Sequence, residues 1–288
     1  MLHSMTGFAR QIAETPLGTL TCELRTVNHR YLDVQFRLPD DLRAKEPEFR
    51  AQIGEVLKRG KVECHLHFRR ADADAGKLVI DESLAREVAT RLGDIAALLP
   101  DSEDPDPMDI LRWPGVVVDP EIDTDPLYDE ARAVVGNALS AMTEMRRSEG
   151  QRIAEMLSSR CAEIKRIAGT VRDRMPEVLA AVRQRQKDRL DKLDVSADPE
   201  RLETELALIA QKLDVDEELD RLDSHVVEIT EVLERDEPVG RRLDFLMQEL
   251  NREANTLGSK SADTETTQAA VELKVLIEQM REQIQNVE

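Results

Sequence analysis

Apolar residues recur along this chain with two different periods. Over the first seventy positions the period is two. Leu32, Val34, Phe36 and Leu38 alternate with Asp33, Gln35 and Arg37, and Val62, Cys64, Leu66 and Phe68 alternate with Glu63, His65, His67 and Arg69. Alternation of this kind predicts half-buried strands. Further strands are predicted over 3–12 and 19–27, with a turn at Pro16-Leu17-Gly18 between them. A short helix over 46–59 sets Phe49, Ile53, Val56 and Leu57 on one face, with Pro47 near its start and Gly60 after its end. The order βββαβ predicts an open, mostly antiparallel sheet. Gly7, inside Ser4-Met5-Thr6-Gly7-Phe8, interrupts a strand pattern and points to a bulge or a close backbone approach.

After residue 80 the period becomes three to four. Leu84, Val88, Leu92, Ile95 and Leu99 predict a helix over 81–99. Residues 100–125, rich in Asp and Pro, read as an irregular connector, with Trp113 docking it onto a domain. Helices are then predicted almost without interruption. Glu149-Gly150 weakens the segment 126–175, so that one helix or two fit, and Pro176 is expected to kink or restart it. Pro199 to Lys212 reads as the next helix. Leu219, Leu222, Val226, Ile229 and Leu233 form a stripe in another, capped by Asp214 or Asp216. Leu243, Leu246, Met247, Leu250, Ala254 and Leu257 stripe the helix in Gly240–Lys260, and Ala270, Leu273, Ile277, Met280, Ile284 and Val287 the last one. The fold class is α+β: a small antiparallel sheet domain over 1–125, then a long-helix, coiled-coil-like domain over 126–288. Such stripes are core or interface, and long helices with few aromatics favour assembly of identical chains.

Charge changes this picture locally. The total is −19, yet residues 1–70 hold twelve Lys/Arg against nine Asp/Glu, and 160–192 hold ten against five. An acidic total argues against indiscriminate nucleic-acid binding without excluding a local basic channel. Cys22, Cys64 and Cys161 lack metal-ligand spacing and read as buried free thiols in a reducing compartment. No apolar run approaches the length of a membrane span, and no secretory leader pattern is seen, so the cytoplasm is the expected location.

The candidate chemistry lies on the helices of residues 216–235 and 241–257. Placed antiparallel with apolar stripes facing, they bring Glu218 and His225 toward Glu249 and Glu253. One imidazole among carboxylates suits Mg²⁺ or Mn²⁺, and such an ion can orient phosphate and generate hydroxide. Arg221, Arg241, Arg242, Arg252 and Lys260 supply charge for phosphate oxygens. On the residues alone the bland reading outweighs this one: His225 as a satisfied interface residue, Glu249 ion-paired with Arg252 or Arg242. Asp244, Gln248, Asn251 and Asn255 form a second, polar stripe on the same helix. Arg25-Thr26-Val27-Asn28-His29-Arg30-Tyr31 carries groups that bind phosphate and stack a base, or simply a hydrogen-bonded connection. His65 and His67, without a carboxylate partner in sight, read as surface residues. No P-loop, GxGxxG, HExxH or GxSxG is present.

Two groups of motifs carry a family resemblance. At the N-terminal end are Ser4-Met5-Thr6-Gly7-Phe8-Ala9, the run Glu23 to Asp33, Leu38-Pro39 and Arg59-Gly60-Lys61-Val62. At the C-terminal end are the runs Leu213 to His225 and Gly240 to Lys260, then Val271-Glu272-Leu273-Lys274. In this order they resemble the YicC family of bacterial proteins, across essentially the whole chain. The resemblance implies a cytoplasmic, metal-dependent endoribonuclease assembled as a homohexamer and using Mn²⁺ or Mg²⁺. It points to His225, Glu249, Arg252 and Glu253 as the catalytic or metal group, and the helix placement above adds Glu218 as a further ligand. RNA is expected to contact Arg25, Asn28, His29 and Arg30, the basic residues Arg183, Arg185 and Lys187, and Lys260. The alternatives are a non-catalytic RNA-binding adaptor and a coiled-coil scaffold.

Overall fold

The structure is a computed structural model that describes residues 2–71, 79–99, 106–118, 124–192, 199–235 and 237–288. The α+β class holds. Two compact units are present, one of Phe8–Arg25 with His29–Ala141, the other of Met1–Gly7, Thr26–Asn28 and Met142–Glu288.

In the first unit, strands β1 (Gly7–Thr15), β2 (Gly18–Val27), β3 (Leu32–Arg37) and β4 (Gly60–Arg70) form one sheet in the order β1-β2-β4-β3. The sheet is mixed rather than antiparallel throughout. β3 and β4 run parallel, from Leu32 opposite Gly60 to Arg37 opposite His65. The reason is the connection: a 3₁₀ turn (Asp40–Lys45) and helix α1 (Glu46–Val56) carry the chain back across the sheet, as a parallel crossover requires. Period-two alternation reports which face is buried, and is blind to strand direction. Leu20, Cys22 and Leu24 of β2 and Val62, Cys64 and Leu66 of β4 are fully or almost fully buried, beside Phe49 and Ile53 of α1. Arg50 of α1 donates to the carbonyl of Val34 at 2.9 Å, and Phe49 packs against Tyr128 with ring centroids 5.5 Å apart.

The expected connector contains ordered elements. Val79–Ile80 (β5) pairs antiparallel with Val117–Val118 (β6), α2 spans Glu82–Leu98 and α3 spans Pro107–Leu111. Residues 100–105 and 119–123 of the connector lie outside the described residues. Trp113 lines a groove of about 290 Å³ together with Leu84, Val88, Leu92 and Ile95 of α2, and half of it stays exposed. Val116, 1% exposed, is the deeper anchor.

Helix α4 runs unbroken from Thr124 to Lys192, through both Gly150 and Pro176. Pro176 leaves one carbonyl without its helical donor. The flanking turns are held from outside instead: Arg172 pairs with Asp220 and Asp223, Arg174 with Asp263 and Glu265, and Val178 is buried. Gly150 is a packing requirement, since a Cβ there would lie 2.0 Å from the carbonyl oxygen of Leu2. The N-terminal segment is clasped at this place. Ser4 and Met5 donate backbone hydrogen bonds to Arg146 and Asn286, and buried Arg146 donates to the carbonyl of Ser4 and to the Glu288 carboxylate. Gly7 fulfils the expected close approach: a Cβ would lie 3.1 Å from the side chains of Arg146 and Met142.

The rest of this second unit is α5 (Pro199–Leu213), α6 (Asp216–Leu233), α7 (Gly240–Lys260) and α8 (Thr264–Ile284). The stripes predicted for α6, α7 and α8 form one core with Leu157, Ile164, Ala168 and Val171 of α4. The three cysteines are free and buried. Burial pushes the Cys161 thiol up to about 11, and a hydrogen bond with Cys22, then burial, raises Cys64 far above its ordinary value. No described helix is long and apolar enough to cross a membrane.

Asp263 caps α8, accepting from the backbone N–H and hydroxyl of Thr266 and from Arg174. Burial raises its carboxyl pKa, but Thr266 and Arg174 outweigh this and hold it below the ordinary value. A carboxylate depressed in the folded state stabilises the fold above its unfolded pKa, and that contribution is lost as pH falls through the folded one. Asp263→Asn is therefore expected to lower stability at neutral pH by about 1 kcal/mol. Urea titrations across pH should show the gap from wild type closing below about pH 4, the ordinary carboxylate range.

Candidate metal and RNA site

Helices α6 and α7 are joined by a short connection that contains Pro238, and they pack antiparallel. The direction is visible in the pairs across the seam: Glu228 meets Arg242, Arg221 meets Glu253, and Glu218 meets Lys260. Leu219, Leu222, Val226 and Ile229 of α6 are buried in one core with Leu243, Leu246, Met247, Leu250, Ala254 and Leu257 of α7. Fixing these apolar stripes fixes the polar edge beside them. Glu218, Arg221, His225 and Glu228 follow one another at steps of three, four and three, so they line one edge of α6. Arg242, Glu249, Glu253 and Lys260, at steps of seven, four and seven, line the facing edge of α7.

Three rungs of this ladder match a carboxylate with a cation. The remaining one does not. There His225, Glu249 and Glu253 each offer a ligand atom, and these atoms all lie within 4.8 Å of one another. Glu253 is 2% exposed, and its cross-seam partner Arg221 is at a long 3.4 Å. The other end of Arg221 holds Glu217, one turn earlier on α6. Glu217 first, then Glu253, keep the Arg221 guanidinium above its ordinary pKa. Arg252 lies 3.8 Å from Glu249, with its side chain 68% exposed. A buried carboxylate needs compensation, and two Glu oxygens with one imidazole nitrogen are a donor set that divalent cations accept. These residues fit a divalent cation.

Two residues expected at the site are engaged elsewhere. Glu218, expected as a ligand, takes the Lys260 ammonium on both oxygens at 2.9 Å. Lys260, expected to contact phosphate, donates its third hydrogen to the carbonyl of Asp214 at 2.7 Å. The i,i+7 spacing of Glu218 and His225 shows a shared edge, but the register puts them two rungs apart. The pairing of Arg221 with Glu217 and Glu253 was not foreseen. Its sequence signal is the i,i+4 series Glu217, Arg221, His225 lying opposite Glu253 once the register is known.

The expected RNA contacts divide similarly. The Asn28 side chain donates to the carbonyl of Gln285, and the His29 ring binds the backbone of Tyr31. Arg25 and Arg30 are exposed, and the Arg30 guanidinium lies 5.2 Å above the Tyr31 ring. Arg183 pairs with Glu203, while Arg185 and Lys187 are exposed on α4. On the polar stripe of α7, Gln248 donates to Asp244, and Arg281 of α8 lies 3.9 Å from Asp244.

Comparison with known proteins decides the family. The family models described as "Endoribonuclease YicC-like, N-terminal region" and "Endoribonuclease YicC-like, C-terminal" match residues 2–155 and 171–288. The chain belongs to the YicC-like endoribonuclease family. Among its YicC-like relatives, a protein of Haemophilus influenzae named "Probable endoribonuclease YicC" is 42% identical over 288 residues, covering all of both chains. A protein of the same name from Clostridioides difficile is 34% identical over 293 residues, again over the full length of both. All three members of the cation group lie within the segment matched by the C-terminal YicC-like model.

The Glu218–Lys260 pair predicts a separation of stability from chemistry. Lys260→Met leaves a buried carboxylate without its cation and should cost about 2 kcal/mol, less than a fully buried pair because Lys260 is partly exposed. Glu218→Leu with Lys260→Met should recover most of that loss in a urea melt. Isothermal titration should find Mn²⁺ affinity unchanged in the double variant.

Proposed function

We propose that this chain is an endoribonuclease that hydrolyses RNA phosphodiester bonds with a divalent cation, Mn²⁺ or Mg²⁺, held by His225, Glu249 and Glu253. The observation that carries the proposal is the convergence of those three ligand atoms within 4.8 Å around a buried carboxylate. The names of its YicC-like relatives support the reaction class. When bound, the cation would supply Lewis-acid polarisation of a phosphoryl oxygen and an activated water.

The chain's own residues do the rest. Glu253 anchors the site because burial in the α6–α7 seam leaves its side chain little freedom. His225 contributes a ring nitrogen, and Glu249 a second carboxylate at the more open side. Arg252, mostly exposed one turn along, meets a phosphate oxygen in this reading. Arg25 and Arg30 with the Tyr31 ring, and Arg185 and Lys187 on α4, supply backbone charge and a stacking surface. Assembly of identical chains, as a hexamer, belongs to the same proposal. It is supported by Val227, Phe245, Val271 and Val275, apolar side chains about half exposed on α6, α7 and α8. A reducing cytoplasmic setting suits the three free thiols.

The test is cleavage of labelled RNA by highly purified protein with Mn²⁺, with Mg²⁺ and with EDTA. Cleavage is expected with a metal ion and is abolished by EDTA. Glu253→Gln is expected to lower the rate on the order of a hundredfold or more while leaving the oligomer intact by light scattering. Full activity in that variant removes this site from the reaction. RNA binding without any cleavage turns the protein into an adaptor for another nuclease.

A further inference from the structure

Arg221 stands on the rung next to the cation group and reaches two carboxylates of opposite character. One nitrogen of its guanidinium contacts Glu253, whose side chain is 3% exposed, at 3.4 Å. The other holds Glu217, whose side chain is 73% exposed, in a much closer pair. The Arg221 side chain itself is 48% exposed. The guanidinium is thus shared between an exposed carboxylate and a buried one. A divalent cation bound through Glu253 would repel a guanidinium resting on the same oxygen, since like charges a few ångströms apart in a half-buried seam are poorly screened. Arg221 can release Glu253 and stay paired, because it already holds Glu217, one turn back on the same helix and on the solvent side.

We propose that Arg221 is an exchangeable counter-ion: it neutralises Glu253 before a divalent cation is bound, and on loading it releases Glu253, keeps its Glu217 pair and presents its freed N–H groups to an RNA phosphate. The proposal rests on the reading of His225, Glu249 and Glu253 as a divalent-cation site. Two consequences follow from one side chain. Metal loading has a built-in competitor, which lowers affinity for Mn²⁺. The same event exposes a phosphate-binding fork beside the ion, so metal and RNA bind with positive coupling. Arg221 is in this sense a positioning residue for the metal and a contact residue for the substrate.

The experiment is a Mn²⁺ titration of the full chain without RNA, following free Mn²⁺ by electron paramagnetic resonance. Arg221→Gln is expected to tighten Mn²⁺ binding by about fivefold or more. Arg241→Gln, which removes an equal charge from an exposed position on α7, should change it less than about twofold. Glu217→Gln should weaken Mn²⁺ binding, because Arg221 loses the carboxylate that holds it once Glu253 is released. With Mn²⁺ present, Arg221→Gln should bind RNA more weakly, and its salt dependence should fall by about one charge. If Arg221→Gln does not fold, Arg221→Lys keeps the charge without the two-pronged reach and should tighten Mn²⁺ binding to a smaller extent. Wild type that binds Mn²⁺, with equal or weaker binding in the Arg221 variants, overturns the exchange and leaves the metal site standing. Equal tightening in Arg221→Gln and Arg241→Gln overturns it in favour of general charge. Wild type that binds no Mn²⁺ at millimolar concentration overturns the metal site and the exchange together.

Discussion

The antiparallel register of α6 against α7 is the constraint on which the candidate site depends. It is set by apolar burial: Leu219, Leu222, Val226 and Ile229 share one core with Leu243, Leu246, Met247, Leu250 and Leu257. Each such side chain buried contributes about 1.5–3 kcal/mol. The charged pairs at the edge contribute far less, since partly exposed ion pairs are each worth about 0–1 kcal/mol. The core therefore dictates where His225, Glu249 and Glu253 meet, and the flanking pairs Glu228–Arg242 and Glu218–Lys260 adjust to it. Glu249 pairs along its own helix instead, with Arg252 at 3.8 Å.

The same core is braced from outside by the two ends of the chain. Arg146 of α4 reaches Ser4 near one terminus and Glu288 at the other, and Gly150 leaves room for Leu2. Asp263 ties the start of α8 to Arg174 of α4. These contacts hold α4 as one helix through Pro176, where helix propensity alone would break it. They also account for the N-terminal motif Ser4-Met5-Thr6-Gly7: its polar and small residues serve backbone pairing and close approach.

The hydrophobic periods by themselves determined the element types, the buried faces and the α+β class, because the area removed from water depends only on the spacing of apolar residues along a local helix or strand. They also set His225, Glu249 and Glu253, with Glu218, beside stripes whose facing is almost forced by the short α6–α7 connection, while the choice among these residues rested on the family resemblance. What they did not contain was direction and partner. Parallel pairing of β3 with β4 follows from the α1 crossover, and an unbroken α4 from tertiary braces on both sides of Pro176. Only the tertiary structure decided that Glu218 meets Lys260 while Glu253 meets Arg221 and lies with His225 and Glu249. Those carboxylates share one helix edge or its mate, and a shift of a single rung exchanges their partners. Charge pairing acts over a few ångströms and at small energies, so it is settled by the register that the core imposes.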